Sequence, residues 1–387
     1  MIRLVPLDPR LVEPALDLLP LGFGDAHRHV IAWSVGLVEG ETGIADVRHH
    51  GVTFLLHDTR AEDALVEAGG TRGIGRLEGG VVEAWHARAW IMEIALLVNP
   101  FASAVSEASA RAVESELARA GSVTLLWTER PGHATALATK AIEADSLVVY
   151  SGDGGFNEAL NGVERPVPLG FLPGGSTNVL PRALGLPREP VAAARRVAQA
   201  LTQKRTRTIS LGRVNGRRFS FSAGVGLDAE LVRRVDALGR GRDGRRPGDL
   251  AYVLAAASLV GGRLGRFRPT LELAGLGRAA FALVANCDPY TYAGSVPIHV
   301  APEARFELGL DVVAPAEVGP LGLPRLLRYA LSGHGQASAP DIRYGHDLDR
   351  IEIVCDRPLA LQADGEDLGD VEVAVFEAER DAVRVLI

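Results

Sequence analysis

The stretch Val148-Val-Tyr-Ser-Gly-Asp-Gly-Gly-Phe-Asn-Glu158 passes from an uncharged run of strand formers into a glycine-rich turn and then into a helical pattern. Glycines at a strand-to-helix turn let the backbone approach a ligand closely, and the N–H groups of the helix start then point at an anion. Phosphate is the expected guest. Asp153, in the middle of the turn, would be repelled by phosphate unless it serves a cation or a proton, which points to Mg²⁺ held through water. A plain tight turn with an Asp side-chain bond would use the same residues. A second turn of the same kind follows one strand later, however, in Gly170-Phe-Leu-Pro-Gly-Gly-Ser-Thr-Asn178. There Ser176, Thr177 and Asn178 can cap the next helix and donate hydrogen bonds to a phosphate held between the two turns. Two such turns at the carboxyl ends of neighbouring parallel strands define the crevice in which open α/β sheets bind ligands. Asn99-Pro100 and Thr128, each closing a further strand, point to the same sheet edge.

Outward from this stretch the pattern is regular. Strands over 93–98, 122–127, 145–150 and 167–172 alternate with helices over 106–120, 133–143, 157–162, 177–184 and 191–202, the signature of a parallel sheet with crossover helices. This first ordered domain spans 92–207. Beyond it, runs over 208–214 and 218–223 flank Asn215-Gly216, a strong hairpin signal. Further strands are expected over 269–273, 279–286, 308–314, 351–355, 359–362, 371–378 and 382–386. The expected fold class is therefore α/β: an N-terminal parallel-sheet nucleotide domain followed by an antiparallel β-sandwich domain over 208–387.

Residues 1–91 read differently. They hold six of the ten histidines (His27, His29, His49, His50, His57, His86) and three of the four tryptophans (Trp33, Trp85, Trp90). Their apolar runs, such as Val52-Thr-Phe-Leu-Leu56, are short, show no sustained period, and assign no domain. The histidine spacings match no metal-ligand pattern. Met92 is the only methionine after Met1 and directly precedes the first clean strand, so the segment reads either as an N-terminal extension or as sequence upstream of a true start at Met92.

Composition excludes several classes. With 41 basic against 48 acidic residues and a net charge of −7, the chain lacks the strongly basic balance of a nucleic-acid binder. Cys287 and Cys355 are its only cysteines, too few for a disulfide framework and in keeping with a reducing compartment. No window has the 18 or so uncharged apolar residues of a spanning helix, and no basic-then-apolar leader is present, which reads as cytoplasmic. Lys140 and Lys204 are the only lysines, so a G-x-x-x-x-G-K-[ST] phosphate loop cannot be written anywhere.

The order Leu97-Val-Asn-Pro100, Thr128-x-x-x-Gly-His-Ala134, Ser-Gly-Asp-Gly-x-x-Asn-Glu158, Leu-Pro-Gly-Gly-Ser-Thr-Asn178 and Gln362-Ala-Asp-Gly-Glu366 resembles the diacylglycerol kinase catalytic family. That family includes bacterial diacylglycerol kinases, sphingosine kinases and ceramide kinases and is related more distantly to NAD kinases. The resemblance covers residues 92–387. It implies a two-domain kinase with ATP in the cleft, an acceptor lipid on the strand-rich domain and a last strand that returns to the first domain. Asn99, Thr128, Ser151, Gly152, Asp153, Gly154, Gly155, Asn157, Glu158, Gly174, Gly175, Ser176, Thr177 and Asn178 correspond to nucleotide-contacting positions. Asp364 and Glu366 correspond to the carboxylates that supply the general base and organise the metal, with Asp153 serving Mg²⁺. An alcohol attacking a γ-phosphoryl group needs such a cation and a carboxylate to take the proton. Two carboxylates in one Asp-Gly-Glu turn would raise the pKa of one of them.

Three positions depart from the family pattern: Gly155 stands where Thr is usual, Ser210 where a carboxylate is often found, and Leu308 where many bacterial members have an Asp that helps hold a structural Mg²⁺. From Arg233 to Arg268, nine arginines face three aspartates, a patch suited to anionic lipid. The apolar segment 250–260 inside it could dip into the interface. The expectation is thus an ATP- and Mg²⁺-dependent lipid kinase, peripheral to the inner face of the membrane, acting on diacylglycerol, a sphingoid base or ceramide. A soluble-acceptor kinase of the NAD kinase type and a non-catalytic nucleotide- or lipid-binding regulator are the alternatives, and a homodimer is left open.

Overall fold

The computed structural model describes residues 92–238 and 265–387, the strands between 45 and 83, and short helical pieces within 254–262. Met1–Ile91 and Met92–Ile387 are separate units. In the first, β1 (Ala45–His49), β2 (Val52–Leu56), β3 (Asp63–Ala68), β4 (Thr71–Glu78) and β5 (Val81–Glu83) form an antiparallel meander in sequence order. The strands are legible only as short runs in the sequence because glycines, as in Thr71–Glu78, break the alternation of apolar residues. His27, His29, His50, His57, His86, Trp33, Trp85 and Trp90 lie outside the described residues.

In the second unit, β6 (Glu93–Val98), α1 (Glu107–Leu117), β7 (Ser122–Trp127), α2 (His133–Lys140), β8 (Ser146–Ser151), α3 (Asp153–Gly162), β9 (Leu169–Pro173), α4 (Val179–Ala183) and α5 (Pro190–Thr202) follow the expected alternation. The four strands are parallel in the order β7-β6-β8-β9. Both faces of this sheet are covered: on β6, Ala95 and Leu97 pack in one cluster and Ile94, Leu96 and Val98 in the other, beside α1 and α5. Ser106 starts α1 with a reciprocal cap to Ser109, and Glu189 caps α5 through the amides of Val191 and Ala192.

The chain then turns antiparallel. β10 (Thr206–Val214) and β11 (Arg217–Phe219) pair around Asn215-Gly216, both with positive φ. β12 (Ser222–Val225), α6 (Leu227–Ala237), β13 (Leu271–Leu273), β14 (Gly277–Ala279), β15 (Ala282–Ala285), β16 (Thr291–Ala293), β17 (Val296–Ile298), β18 (Leu310–Pro315), α7 (Leu323–Ser332), β19 (Ile342–Leu348), β20 (Arg350–Ala363) and β21 (Glu366–Leu386) complete the unit. Their shared core packs Phe219 edge-on against Phe376, with ring centroids 6.3 Å apart. β21 closes the architecture: it pairs with β20 and β10, and Val385 near its end lies parallel to Leu169 of β9, so parallel and antiparallel regions form one sheet.

Several boundaries differ from the pattern-based expectation. The runs 351–355 and 359–362 are one strand, as are 371–378 and 382–386. The turn-like residues between them, Asp356-Arg357-Pro358 and Asp381, coincide with register shifts within continuous ladders and do not end the strands. Conversely 279–286 is two strands, because Ala280 leaves the β14 hairpin to bond Pro315. The helix expected over 157–162 begins four residues earlier, and in this unit α6, β16, β17, α7 and β19 are additions to the expected elements. Among the described residues, no helix is long and apolar enough to cross a membrane.

Candidate active site

The two glycine turns meet backbone to backbone. A Cβ on Gly152 would stand 3.2 Å from the Cα of Gly175, and one on Gly175 would stand 2.8 Å from the Cα of Gly152. Any side chain at either position would therefore force the turns apart. The amide of Gly174 also donates to Ser151 O at 2.7 Å. Three strand ends are tied in beside them: Asn99 donates from Nδ2 to Ser151 Oγ (3.0 Å) and accepts at Oδ1 from Thr128 Oγ1 (3.3 Å) and the Phe101 amide (3.0 Å).

These turns floor a cleft of about 660 Å³, which is also lined by Asp364 and Glu366 from the β20–β21 hairpin. Of the residues assigned to nucleotide contact, Asn99, Thr128, Ser151, Gly152, Asp153, Gly154, Gly155, Glu158, Gly175, Ser176 and Thr177 line it. Gly174, Asn157 and Asn178 do not. Asn178, with positive φ, folds onto its own loop by exchanging two 2.7 Å hydrogen bonds with the backbone of Gly175. No side chain of 176–178 caps α4; the acceptor for the Leu180 amide is Asp153 Oδ1, at 3.3 Å. Glu158 likewise serves a neighbour, accepting the amides of Gly132 and Ala134 at the start of α2, which has no cap of its own.

Asn157 is fully buried behind the cleft, where its Nδ2 donates to Asp364 Oδ2 (2.9 Å) and to Arg218 O (2.9 Å). Asp364 is itself almost completely buried. It sits in the left-handed region with Gly365 after it, the geometry of a two-residue hairpin turn. Besides Asn157, its carboxylate accepts from the Ser220 amide (2.7 Å) and hydroxyl (2.9 Å) and from the amides of Phe221 (3.0 Å) and Ser222 (3.2 Å). Burial raises its pKa and these donors oppose the rise. Glu366, expected to act as the close partner carboxylate, turns instead to Arg217 Nη2 at 2.7 Å. The group that feels Asp364 is Asp153: burial, reinforced by the Asp364 charge, pushes it up to about 6 against the amides of 178–180.

Asp364→Asn is expected to cost about 1–3 kcal/mol, because an amide nitrogen must face donors that the carboxylate now satisfies. It is also expected to lower the pKa of Asp153 by removing a neighbouring negative charge. Urea melts and the acid limb of a pH titration of Asp153 check the two effects.

Sequence reasoning missed a second polar group on the cleft wall. Asp228, at the start of α6, accepts from Tyr290 Oη (2.7 Å) and Gln362 Nε2 (2.5 Å), and burial raises its pKa. All three line the cleft. They come from positions 228, 290 and 362, with no local motif to announce them. Tyr292 also lines the cleft, and Arg182 lies 3.3 Å over its ring.

Ser210 is buried, outside the cleft lining, and its Oγ has no partner. Beside Leu308, the Gly309 amide is held by Asp347, and Asp347 by Arg380. Asp311 is paired with His346. Among the described residues no cluster of three or more His, Cys, Asp or Glu could hold a metal. Cys287 and Cys355 are free, buried thiols whose pKa values burial raises. Of the nine arginines between 233 and 268, Arg233 is clamped by Asp367 and Asp370, while Arg240, Arg242, Arg245, Arg246 and Arg263 lie outside the described residues, as does most of 250–260.

A parallel sheet whose glycine turns open into a carboxylate-lined cleft, continued by antiparallel strands, defines an α/β protein with its cleft at the carboxyl ends of the parallel strands. Residues 93–214 match the model of the diacylglycerol kinase catalytic domain. A diacylglycerol kinase of Bacillus subtilis (strain 168) is 37% identical over 135 residues, 33% of this chain and 42% of the relative. A probable lipid kinase (YegS-like) of Pseudomonas aeruginosa is 30% identical over 164 residues, 41% of this chain and 48% of the relative. In these matches the chain spans less than half the length of the curated relatives. The fold is shared more widely. A putative diacylglycerol kinase from Bacillus anthracis str. Sterne superposes with a TM-score of 0.62 at 23% identity, over 78% of this chain and 97% of that one. A second diacylglycerol kinase structure from the same organism gives 0.57 at 19%, over 77% and 98%.

Proposed function

We propose that this chain is an ATP-dependent lipid kinase that transfers the γ-phosphoryl group to a hydroxyl of diacylglycerol or a related lipid such as a sphingoid base or ceramide. The observation that carries the reading is the convergence of two touching glycine turns with Asp153, Asp364 and Glu366 on one cleft. Backbone amides at 152–155 and 176–177, with the hydroxyls of Ser176, Thr177 and Thr128, suit triphosphate oxygens. The Asp228–Tyr290–Gln362 group suits the polar head of an acceptor.

The donor set fits Mg²⁺ as it travels with a nucleotide, since that ion takes one or two carboxylates and keeps water and phosphate oxygens as its other ligands. Glu366, with Asp153 through water, would hold it, and it would neutralise charge developing on the phosphates. The proton from the hydroxyl has one acceptor better suited than the others. Asp364 is committed to five donors and Glu366 to Arg217, whereas Asp153, on the cleft lining and held by the amides that start α4, is pushed up to about 6 by burial and then by the Asp364 charge, near a working pH. Asp153 is therefore the general base in this reading, and Asp364 positions it by charge and holds α3 through Asn157.

Transfer of labelled γ-phosphate from ATP into a chloroform-extractable product, with diacylglycerol and sphingoid lipids in mixed micelles, tests the assignment. Labelled lipid names the acceptor class. ATP binding without label in any lipid would overturn the reading in favour of a regulator. Label in a water-soluble acceptor without lipid or detergent would favour a kinase of the NAD kinase type.

A further inference from the structure

α7, Leu-Pro-Arg-Leu-Leu-Arg-Tyr-Ala-Leu-Ser, is the most amphipathic helix of the described residues, yet none of its residues is fully buried. Its inner face, Leu323, Leu326 and Tyr329, packs partly against Phe267, Phe281, Val318 and the cluster around Tyr290. The outer face should by ordinary logic be polar. Instead Pro324, Leu327 and Leu331, at the three- and four-residue spacing of one helical stripe, are exposed. Leu321, in the loop just before, is 96% exposed, and Val296 on the neighbouring β16–β17 hairpin is 46% exposed. A contiguous apolar face of this kind on a chain otherwise rich in charge marks a docking surface.

Charge chooses the occupant. Between 316 and 341 the carboxylates are Glu317 and Asp341, the second neutralised by Arg325 of the helix, while Arg328 is exposed on the helix and Arg266 and Arg268 are exposed on either side of Phe267. Phe267 exchanges backbone hydrogen bonds with Val318, so both arginines flank the root of α7. Leucines bordered by arginine are the pattern of a helix lying in an anionic interface. The helix is also fastened to the cleft: His299, directly after β17, donates its amide to Ala330 O at 2.7 Å, and Tyr292, Ala293 and Ile298 of the same hairpin line the cleft.

We infer that the exposed face of α7, with Leu321, Leu327, Leu331 and the bordering arginines, is a membrane-docking surface that seats in an anionic lipid interface and presents the cleft rim to it. The inference rests on the lipid-kinase reading for its purpose, but its test does not need turnover.

The full chain is sedimented with phosphatidylcholine vesicles with and without phosphatidylserine. The wild type is expected to bind the anionic vesicles, less so at raised salt. Leu327→Glu/Leu331→Glu should weaken that binding by at least about tenfold, since two apolar anchors are replaced by charge. Its melting temperature should not change, because neither side chain is part of a core; Leu321→Ser, in the loop, is the second variant and should weaken binding in the same direction. Failure of the wild type to bind, or equal binding by the variants, overturns the inference. So does a wild-type dimer that the double variant dissociates while vesicle binding is untouched, which would make a second copy the occupant. Transfer to a short-chain diacylglycerol dispersed as monomers should be the same in wild type and variants. Absence of transfer from the wild type to this lipid and to short-chain sphingoid and ceramide acceptors, with vesicle binding intact, would remove the kinase reading and leave the docking surface standing.

Discussion

Replacing Asp153 by asparagine is expected to stabilise the folded chain at neutral pH while it removes phosphoryl transfer. The carboxyl is pushed from 3.8 up to about 6, first by burial and then by the Asp364 charge. A folded-state pKa above the unfolded one means that the native state holds the proton more tightly. That advantage is complete below about pH 4, is lost as pH rises through about 6, and leaves the ionised native form at its full cost above that. Asparagine does not ionise and keeps an oxygen for the Leu180 amide. The variant should match the wild type closely in urea melts near pH 4 and exceed it by about 1–3 kcal/mol near pH 7.5, since each tenfold change in proton affinity between the folded and unfolded states is worth about 1.4 kcal/mol. Turnover should fall by about 10²–10⁴, the usual loss when a positioned general base is removed. A variant that is more stable at neutral pH and fully active would show that the carboxylate is desolvated but not used. One that loses activity with no pH-dependent change in stability would show that Asp153 is not desolvated as its surroundings imply.

The elements that sequence reading located well are those whose cause is local. The parallel strands are continuous apolar runs, and Gly152 and Gly175 sit in turns that announce themselves. Asn215-Gly216 and Asp364-Gly365 both carry the positive φ that their dipeptides favour. What sequence reading misplaced depends on partners far along the chain. Asn157 stands inside a glycine-rich motif expected to bind phosphate, but its environment is set by Asp364, 207 positions later, and by the backbone of Arg218. Arg217, which takes Glu366 away from its expected partnership, directly follows Asn215-Gly216, a dipeptide that announces the hairpin but not what the arginine meets. Sequence proximity couples Asp364 to Glu366, whereas in the folded chain Asp364 acts on Asp153 across the cleft, and the Asp-Gly-Glu turn keeps its two carboxylates on separate partners. Strand lengths erred for a related reason: a bulge and a turn use the same residue types, and only a ladder on both sides tells them apart.

Gly155→Thr, which would place here the residue usual in the family that the sequence resembles, is expected to be among the most damaging single changes in the chain. A Cβ at 155 would fall 2.0 Å from Ser151 Oγ and 2.8 Å from Ser151 Cβ, inside the first turn of α3 where neither backbone can yield without opening the glycine turns. The cost should be about 3 kcal/mol or more, with loss of turnover. The same contact explains why the departure is tolerated. The Ser151 hydroxyl occupies the place a side chain at 155 would take, and there it receives Asn99 Nδ2 at 3.0 Å. Ser151 and Gly155 thus form one unit, with a single hydroxyl contributed from the strand end in place of the helix. Ser151→Gly alone should cost only about 1 kcal/mol, for one hydrogen bond and added chain freedom. In the double variant the Thr side chain meets no atom of residue 151 beyond its backbone, and Asn99 Nδ2, 3.5 Å from the new Cβ, has a hydroxyl to bond again. Ser151→Gly/Gly155→Thr should therefore recover most of the stability that Gly155→Thr loses, with a coupling of at least about 2 kcal/mol in the double-mutant cycle, and should recover nucleotide binding with it. Additive costs would show that the two positions are independent and that Gly155 answers to something other than Ser151.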